Sequence, residues 1–339
     1  MRKILVIRFS SIGDIVLTTP VIRCLKNQLQ DVEIHVLTKK KFSKLYKTNP
    51  YVSKVYEYDD SLKRNIQELR SENYDFIVDL QKNKRSVRVT RALDCPHASF
   101  PKLNFKKFLL STFKINIMPD VHIVDRYFKA VEKLGVMNDN QGLDFFISEE
   151  NNYDINLLPE EFQKGYHAFV IGGTYKTKIL PAVKVAEVIM KIEEPVVLLG
   201  GPDDVERAEE ILVRVNESIR QQGNMLSTDS QLLNLVGRIN LEQSASLVRN
   251  AKSVLTNDTG LMHIAAAFHK NTVSVWGNTV PELGMYPYLP KEPEKCHIVE
   301  CKGIKCRPCS KLGFKECPKK HFKCMMEIDV DRVVEELRF

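Results

Sequence analysis

The sequence predicts an α/β protein made of two doubly wound, parallel-sheet domains in tandem. Three observations carry this. Short apolar runs alternate with helix-like stretches in both halves of the chain. The alternation lapses at a polar stretch, residues 148–165, and then restarts. The chain has 339 residues, 43% of them hydrophobic, enough for two cores of ordinary size.

In the first half, "KILVIRF", "EIHVLT", "KVYEYD" and "YDFIVDL" read as strands, with helices expected over residues 18–30, 41–48 and 62–71. Residues 81–119 are less regular and rich in Lys, Arg and Phe. The segment "VHIVDRYFKAVEKLGV" then places Val121, Val124, Tyr127, Phe128, Val131 and Leu134 at helical spacing. After the polar linker come "YHAFVIGG", a helix near 181–192, "PVVLLGG", a helix near 203–216 and a short turn. A helix near 241–250, "KSVLTND", a helix over 260–268 and "NTVSVWG" complete the second half. The expected domains are 1–155 and 160–325, followed by a C-terminal helix in 326–339. The tail from 291 onward holds six of the eight cysteines.

The net charge of +7 suits an anionic partner without choosing among nucleotide, membrane phosphate and nucleic acid. No run of 18 apolar residues occurs, and the N-terminus "MRKILVIRFSSIGD" reads as a first strand rather than a signal peptide. A cytoplasmic location is therefore expected, with a peripheral contact to the inner membrane left open.

Ligands of open parallel sheets bind at the carboxyl ends of strands, and a cleft between two such domains is the default site. In "VLTNDTGLMHIAAAFHKNTVSVWG" a strand runs into Asn257 and Asp258 as expected caps, then Thr259 and Gly260 in a helix's first turn. Backbone N–H groups at such a turn favour a diphosphate, and Gly260 allows close approach. His263 follows one turn later; the same pattern also reads as a capped helix with a core histidine. In "RFSSIGDIVLTTP", Asp14 opens a helix after the first strand. An acid there repels phosphate and suits proton abstraction, or else only caps the helix. In "GGTYKTKILP", Lys176 and Lys178 follow a strand-ending glycine pair, where a lysine neutralises a leaving diphosphate or sits in a solvated loop. In "LLGGPDDVERAEE", Asp203 and Asp204 stand where carboxylates bind sugar hydroxyls or complement a helix dipole. In "VDLQKNKRS", Lys82, Lys84 and Arg85 form a basic loop that suits an anionic acceptor. Cys306, Cys309, Cys317 and Cys324, with His321 nearby, read as reduced thiols and no metal is expected; their loose spacing leaves a structural zinc site as the alternative.

Together these residues resemble the heptosyltransferase family, glycosyltransferase family 9. The resemblance rests on "IRFSSIGDIVLTTP", the KxxP of Lys178 to Pro181, "NDTGLMHIAAA" and the cysteine-rich tail. It implies a GT-B fold: two Rossmann-like domains, the first binding an acceptor and the second a nucleotide sugar. It implies inverting, metal-independent transfer with no cofactor, typically of heptose from ADP-heptose to the lipopolysaccharide inner core. By the same resemblance Asp14 is the expected general base. Lys178, Asp204, Asp258, Thr259, Gly260 and His263 are expected at the donor. Arg8, Lys82 and Arg85 are expected at an anionic, lipid-linked glycan acceptor. Nucleic acid is not an expected partner. Two alternatives stay open: transfer of another nucleotide sugar to a different envelope glycan, and a non-catalytic nucleotide-binding protein on the same fold.

Overall fold

In the computed structural model, which describes residues 1–221 and 231–339, the chain forms two α/β units. The first comprises Met1–Leu103 and Val121–Phe146; the second comprises Asn104–Asp120 and Ile147–Phe339. The change of unit thus falls between residues 146 and 147, not at 155–160, and residues 104–120 belong to the second unit.

The first unit holds β1 (Arg2–Ile7), β2 (Val32–Lys39), β3 (Lys54–Tyr58), β4 (Phe76–Asp79) and β5 (His97–Ser99). All pairings are parallel, in the order β3-β2-β1-β4-β5. Ile4 of β1 pairs with Ile34 on one side and Phe76 on the other. Central strands of this kind are covered on both faces, which is why β1 and β4 read as continuous apolar runs. Leu5, Ile7, Phe9, Leu37, Ile77 and Val89 are among the residues that form the core of one face.

The second unit holds β6 (His167–Val170), β7 (Val196–Leu199), β8 (Leu232–Asn234), β9 (Ser253–Asn257), β10 (Asn271–Trp276) and β11 (Cys296–Glu300). These are also all parallel, ordered β11-β10-β9-β6-β7-β8. In each sheet the chain works outward to one edge, then returns beside its first strand to build the other half. The switch points lie between β1 and β4 and between β6 and β9, where ligands of doubly wound sheets bind.

Local chemistry explains the helix boundaries. Helix Leu241–Asn250 starts at Asn240, whose side chain accepts from Gln243 N while Gln243 accepts from Asn240 N, both at 3.0 Å. Helix Lys84–Leu93 was not expected; Asn83 caps it by accepting from Arg85 N and Ser86 N. The amphipathic stretch 121–136 is helical only over Ile123–Phe128, with a 3-10 turn at Glu132–Leu134 ending on Gly135 at φ 74°. The polar stretch 148–165 is no loose linker. Ser148 N and Oγ donate to Glu242, Tyr153 N donates to Ser246 and Arg249 to Asn152, tying it to helix Leu241–Asn250. The cysteine-rich tail is part of the second unit's core. It supplies edge strand β11 and helix Val330–Leu337, and buries Met325, Ile328, Val333 and Leu337 against β10 and helix Ala182–Ile189.

Candidate functional site

In the first unit the loops after β1 and β4 meet at the switch point. Arg8, just past β1, is buried, and its guanidinium is used internally. Its Nη2 lies 2.5 Å from Asp14 Oδ1, Nη1 donates to Leu80 O and Tyr127 Oη, and Nε donates to Ser10 O at 2.9 Å. Arg8 was expected at the acceptor; its burial and these contacts make it a support for Asp14. Burial opposes the Arg8 charge, but Asp14 and the neighbouring tyrosines more than offset this and raise its pKa above the ordinary value. Burial pushes the Tyr127 phenol up to about 12, so it stays protonated.

Asp14 sits in the first turn of helix Ile12–Val16. Its Oδ2 accepts from Ser11 N at 3.1 Å and Ser11 Oγ at 2.9 Å, closing a capping turn. Its side chain remains 24% exposed, although both oxygens already have partners, Oδ1 in Arg8 and Oδ2 in Ser11. Capping and proton transfer are compatible at this residue, since a carboxylate has about four lone-pair sites.

The loop after β4 is held by Asp79. Its Oδ1 accepts from Gln81 N and Lys82 N, and its Oδ2 accepts from Ser86 Oγ at 2.7 Å. Gln81 in turn accepts from Phe9 N at 2.9 Å, joining the two loops. Lys82 donates through Nζ to Phe100 O at 3.0 Å, and exposed Arg85 lies over the Tyr58 ring at 5.6 Å. Of the three residues expected at the acceptor, Lys82 and Arg85 are exposed and Arg8 is buried.

The second unit brings four loops to its switch point. Lys178, in the 3-10 turn Lys176–Lys178 after β6, places Nζ 2.6 Å from Asp258 Oδ2. Thr279, after β10, donates to the same oxygen at 2.9 Å. Asp258 therefore does not cap the following helix as expected; its carboxylate is drawn to a cation and a hydroxyl. Asn257 does not cap it either. Asn257 accepts from Leu180 N and donates to Val170 O and Gly172 O, bridging the β6 and β9 loops. Thr259 is the cap residue of helix Gly260–Ala267 by backbone position, but no side chain caps the helix. Its first-turn N–H groups remain open at half-buried positions, the arrangement that attracts an anion.

Asp204 is buried at the end of the 3-10 turn Pro202–Asp204 after β7. It accepts from Gly201 N at 3.0 Å and from Arg207 Nη1 at 2.8 Å. Its Oδ2 stands so close to Gly172 that a Cβ added there would lie 2.2 Å away. Gly173, next along, would place a Cβ 3.4 Å from Thr259 Cγ2. The glycine pair thus keeps a narrow path between the acid and the helix start. His263 is buried inside helix Gly260–Ala267 and does not line the open surface. Sequence reasoning missed Thr279, Asn257 and Tyr127 as supports; the first two are polar residues at or near a strand end and Tyr127 lies in helix Ile123–Phe128, but none has a spacing that names its partner.

The cysteine segment is laced to this site. Cys309 N donates to Asn278 O, and the Thr177 hydroxyl exchanges hydrogen bonds with Phe314. Arg307 ties the segment to the ends of β10 and β11 through Gly277 O, Thr279 O and Glu300. All eight cysteines are free thiols. Cys306 Sγ is 3.8 Å from His321 Nε2. Burial, and then Cys306 and Cys317, push the Cys309 thiol up to about 11; burial foremost pushes Cys324 to about 12. The four thiols are neighbours, yet among the described residues no three His, Cys, Asp or Glu side chains are arranged to hold a metal ion. Nor is any described helix long and apolar enough to cross a membrane.

Comparison with known proteins agrees with this architecture. Lipopolysaccharide heptosyltransferase 1 of Campylobacter coli is 26% identical over 302 residues, covering 82% of this chain and 84% of its own. The solved structure of Escherichia coli ADP-heptose lipopolysaccharide heptosyltransferase II matches with a TM-score of 0.70 at 23% identity, covering 99% of this chain and 97% of that one. Escherichia coli heptosyltransferase WaaC, solved with ADP, matches at 0.65 and 20% identity, covering 99% of each. Both solved structures share the two-unit GT-B fold. The family description glycosyltransferase family 9 (heptosyltransferase) matches residues 62–315, and the chain belongs to this family of glycosyltransferases.

Proposed function

We propose that this protein is an inverting glycosyltransferase that moves heptose from ADP-heptose to the lipopolysaccharide inner core, with no metal in the transfer step. The observation that carries the reading is the second unit's switch point. Lys178, paired with Asp258, stands with the uncapped start of helix Gly260–Ala267 where a donor diphosphate would bind. The relatives support heptose as the sugar: those compared are named heptosyltransferases, one of them solved with ADP.

Inversion is a single displacement. Asp14 would take the proton of the acceptor hydroxyl as its oxygen attacks the anomeric carbon. The bond from that carbon to the diphosphate breaks, and ADP leaves with the electron pair. Lys178 and the helix N–H groups would stabilise the growing charge where it develops. Asp204, fixed by Gly201 N and Arg207, is assigned to the donor's ribose, and Arg85 with Lys82 to the anionic acceptor. A lipid-linked acceptor places the enzyme in peripheral contact with the inner membrane.

A donor panel tests this: ADP-heptose against UDP-, GDP- and ADP-hexoses, with a Kdo-bearing lipid acceptor. ADP release from ADP-heptose only when acceptor is present is the expected result. Preference for another nucleotide sugar overturns the donor. Acceptor-independent nucleotide binding with no transfer from any donor overturns the enzyme reading in favour of a binding protein.

A further inference from the structure

Residues 104–117 do not behave as an ordinary surface segment. Asn104–Phe108 is α-helical and continues as a π-turn over Leu109–Phe113. Leu110 and Met118 pack against Val280 and Leu283 of the second unit, and Lys114 Nζ donates to Pro308 O at 2.6 Å. The segment is thus anchored from beneath. Its remaining large apolar side chains are turned outward: Phe105 is 70% exposed, Phe113 58%, Ile115 52%, Phe108 50% and Ile117 45%. Phe108 and Phe113 touch edge to face, with ring centroids 5.7 Å apart, so the aromatic surface is continuous there. Scattered single apolar residues on a surface need no explanation, but five within thirteen residues do.

The charges in this stretch have one sign. Between residues 102 and 117 there are four lysines and no acid. This composition decides between two kinds of occupant. The buried centres of protein interfaces take aromatic residues but are depleted in lysine. An element lying in a bilayer interface combines both: aromatic and aliphatic groups enter the acyl boundary while lysines extend to anionic headgroups.

We propose that residues 104–117 are a membrane-docking element that seats the second unit on an anionic lipid surface, with Phe105, Phe108 and Phe113 inserted and Lys106 and Lys107 at the headgroups. This deepens the proposed action on a lipid-linked acceptor, but the surface chemistry stands without it. No change of fold is required, since the rings are already exposed while Leu110 and Met118 stay packed.

The test is sedimentation of the purified protein with phosphatidylcholine vesicles, with and without phosphatidylglycerol. Binding is expected only with phosphatidylglycerol and is expected to weaken with salt. The triple variant Phe105→Ser, Phe108→Ser, Phe113→Ser and the double variant Lys106→Glu, Lys107→Glu should each lose at least tenfold in vesicle affinity while ADP affinity holds. Phe105→Trp gives a second readout that needs no loss of function. The one native tryptophan, Trp276, is buried, so a blue shift of emission on anionic vesicles reports residue 105. Failure of the wild-type protein to bind anionic vesicles, equal binding by the triple variant, or an unmoved Phe105→Trp spectrum overturns the proposal. So does self-association that the triple variant abolishes in the absence of vesicle binding, which marks a protein interface instead. Vesicle binding with no transfer in the donor panel keeps the docking element and removes the heptose reading; transfer without vesicle binding does the reverse.

Discussion

Lys178 Nζ and Asp258 Oδ2 are 2.6 Å apart, and both side chains are largely buried. Asp258, itself held by Thr279, keeps Lys178 in place, and on the proposed reading the pair is a stored cation for the donor diphosphate. A diphosphate carries more charge than one carboxylate, so it competes for Nζ and the pair is expected to loosen on binding. Lys178→Ala should therefore weaken ADP binding and reduce kcat/KM by on the order of 10²-fold, as for loss of one donor to a developing anion. Asp258→Asn should separate the two effects. It removes the competitor, so ADP should bind at least as tightly, while a less well-placed Lys178 slows turnover. Calorimetry of ADP with both variants decides it; a loss of ADP affinity in Asp258→Asn would show that the acid contacts the donor directly.

Asp14→Asn keeps the size of the side chain and removes its basicity. Turnover should fall by about 10²–10⁴-fold, with ADP affinity within about twofold of wild type. The amide also loses the Arg8 ion pair, so a structural effect must be told apart from loss of the base. Tyr127→Phe supplies the control, since it removes one Arg8 contact and leaves the carboxylate itself unaltered. A modest fall in turnover there, with a near-total fall in Asp14→Asn, assigns the proton to Asp14. Turnover of Asp14→Asn within a few-fold of wild type would leave Asp14 as a helix cap.

Much of this arrangement was legible because punctuation in an α/β chain falls at strand ends. Gly172-Gly173, Gly200-Gly201 and Asp258 to Gly260 each follow an apolar run, and each lies at a carboxyl end in the structure. What could not be read is which polar residues face one another. Asn257 and Asp258 look alike as caps, yet one bridges two loops and the other pairs with a lysine 80 positions earlier. Arg8 looked like a ligand-binding arginine because burial cannot be seen in a sequence. The edge strands β5 and β8 have three residues each, too few for a period of two to register. Helix Lys84–Leu93 was obscured by its charge: Arg and Lys are as many as its apolar residues, and only the Asn83 cap marks its start.

The basic loop after β4 should act on the acceptor alone. Arg85→Ala should raise the acceptor KM several-fold and leave ADP affinity unchanged. Lys82→Ala should do less, because Lys82 is engaged with Phe100 O and needs to exchange that contact to reach a ligand. Loss of ADP affinity in either variant, with Lys178→Ala retaining it, would reverse the roles of the two units.

Among the described residues the thiols of Cys306, Cys309, Cys317 and Cys324 are not assembled into a metal cluster; if they do close on zinc, purified protein should carry about one equivalent. Metal binding needs thiolates, and burial foremost pushes two of these thiols up, Cys309 to about 11 and Cys324 to about 12. Uptake must therefore release protons and strengthen as pH rises. Because the segment is tied to Thr177 and Asn278, chelation should also raise the donor KM through Lys178. Protein free of metal, with melting temperature and donor KM unmoved by chelator, would leave these residues as thiols.

Gly172 offers a test of whether Asp204 belongs to the donor site or only to the fold. A Cβ at this position would meet Asp204 Oδ2 at 2.2 Å, so Gly172→Ala must displace the carboxylate. Displacement costs the bonds from Gly201 N and Arg207, and the variant should lose about 1–3 kcal/mol of stability. Asp204→Asn keeps the shape and one acceptor oxygen, and should cost less. If the carboxylate also receives the donor's ribose hydroxyls, both variants weaken ADP binding and leave the affinity for inorganic diphosphate alone, because Lys178 and the helix start are untouched. Parallel loss of ADP and diphosphate affinity in Asp204→Asn would mean that Asp204 acts only by holding the loops together.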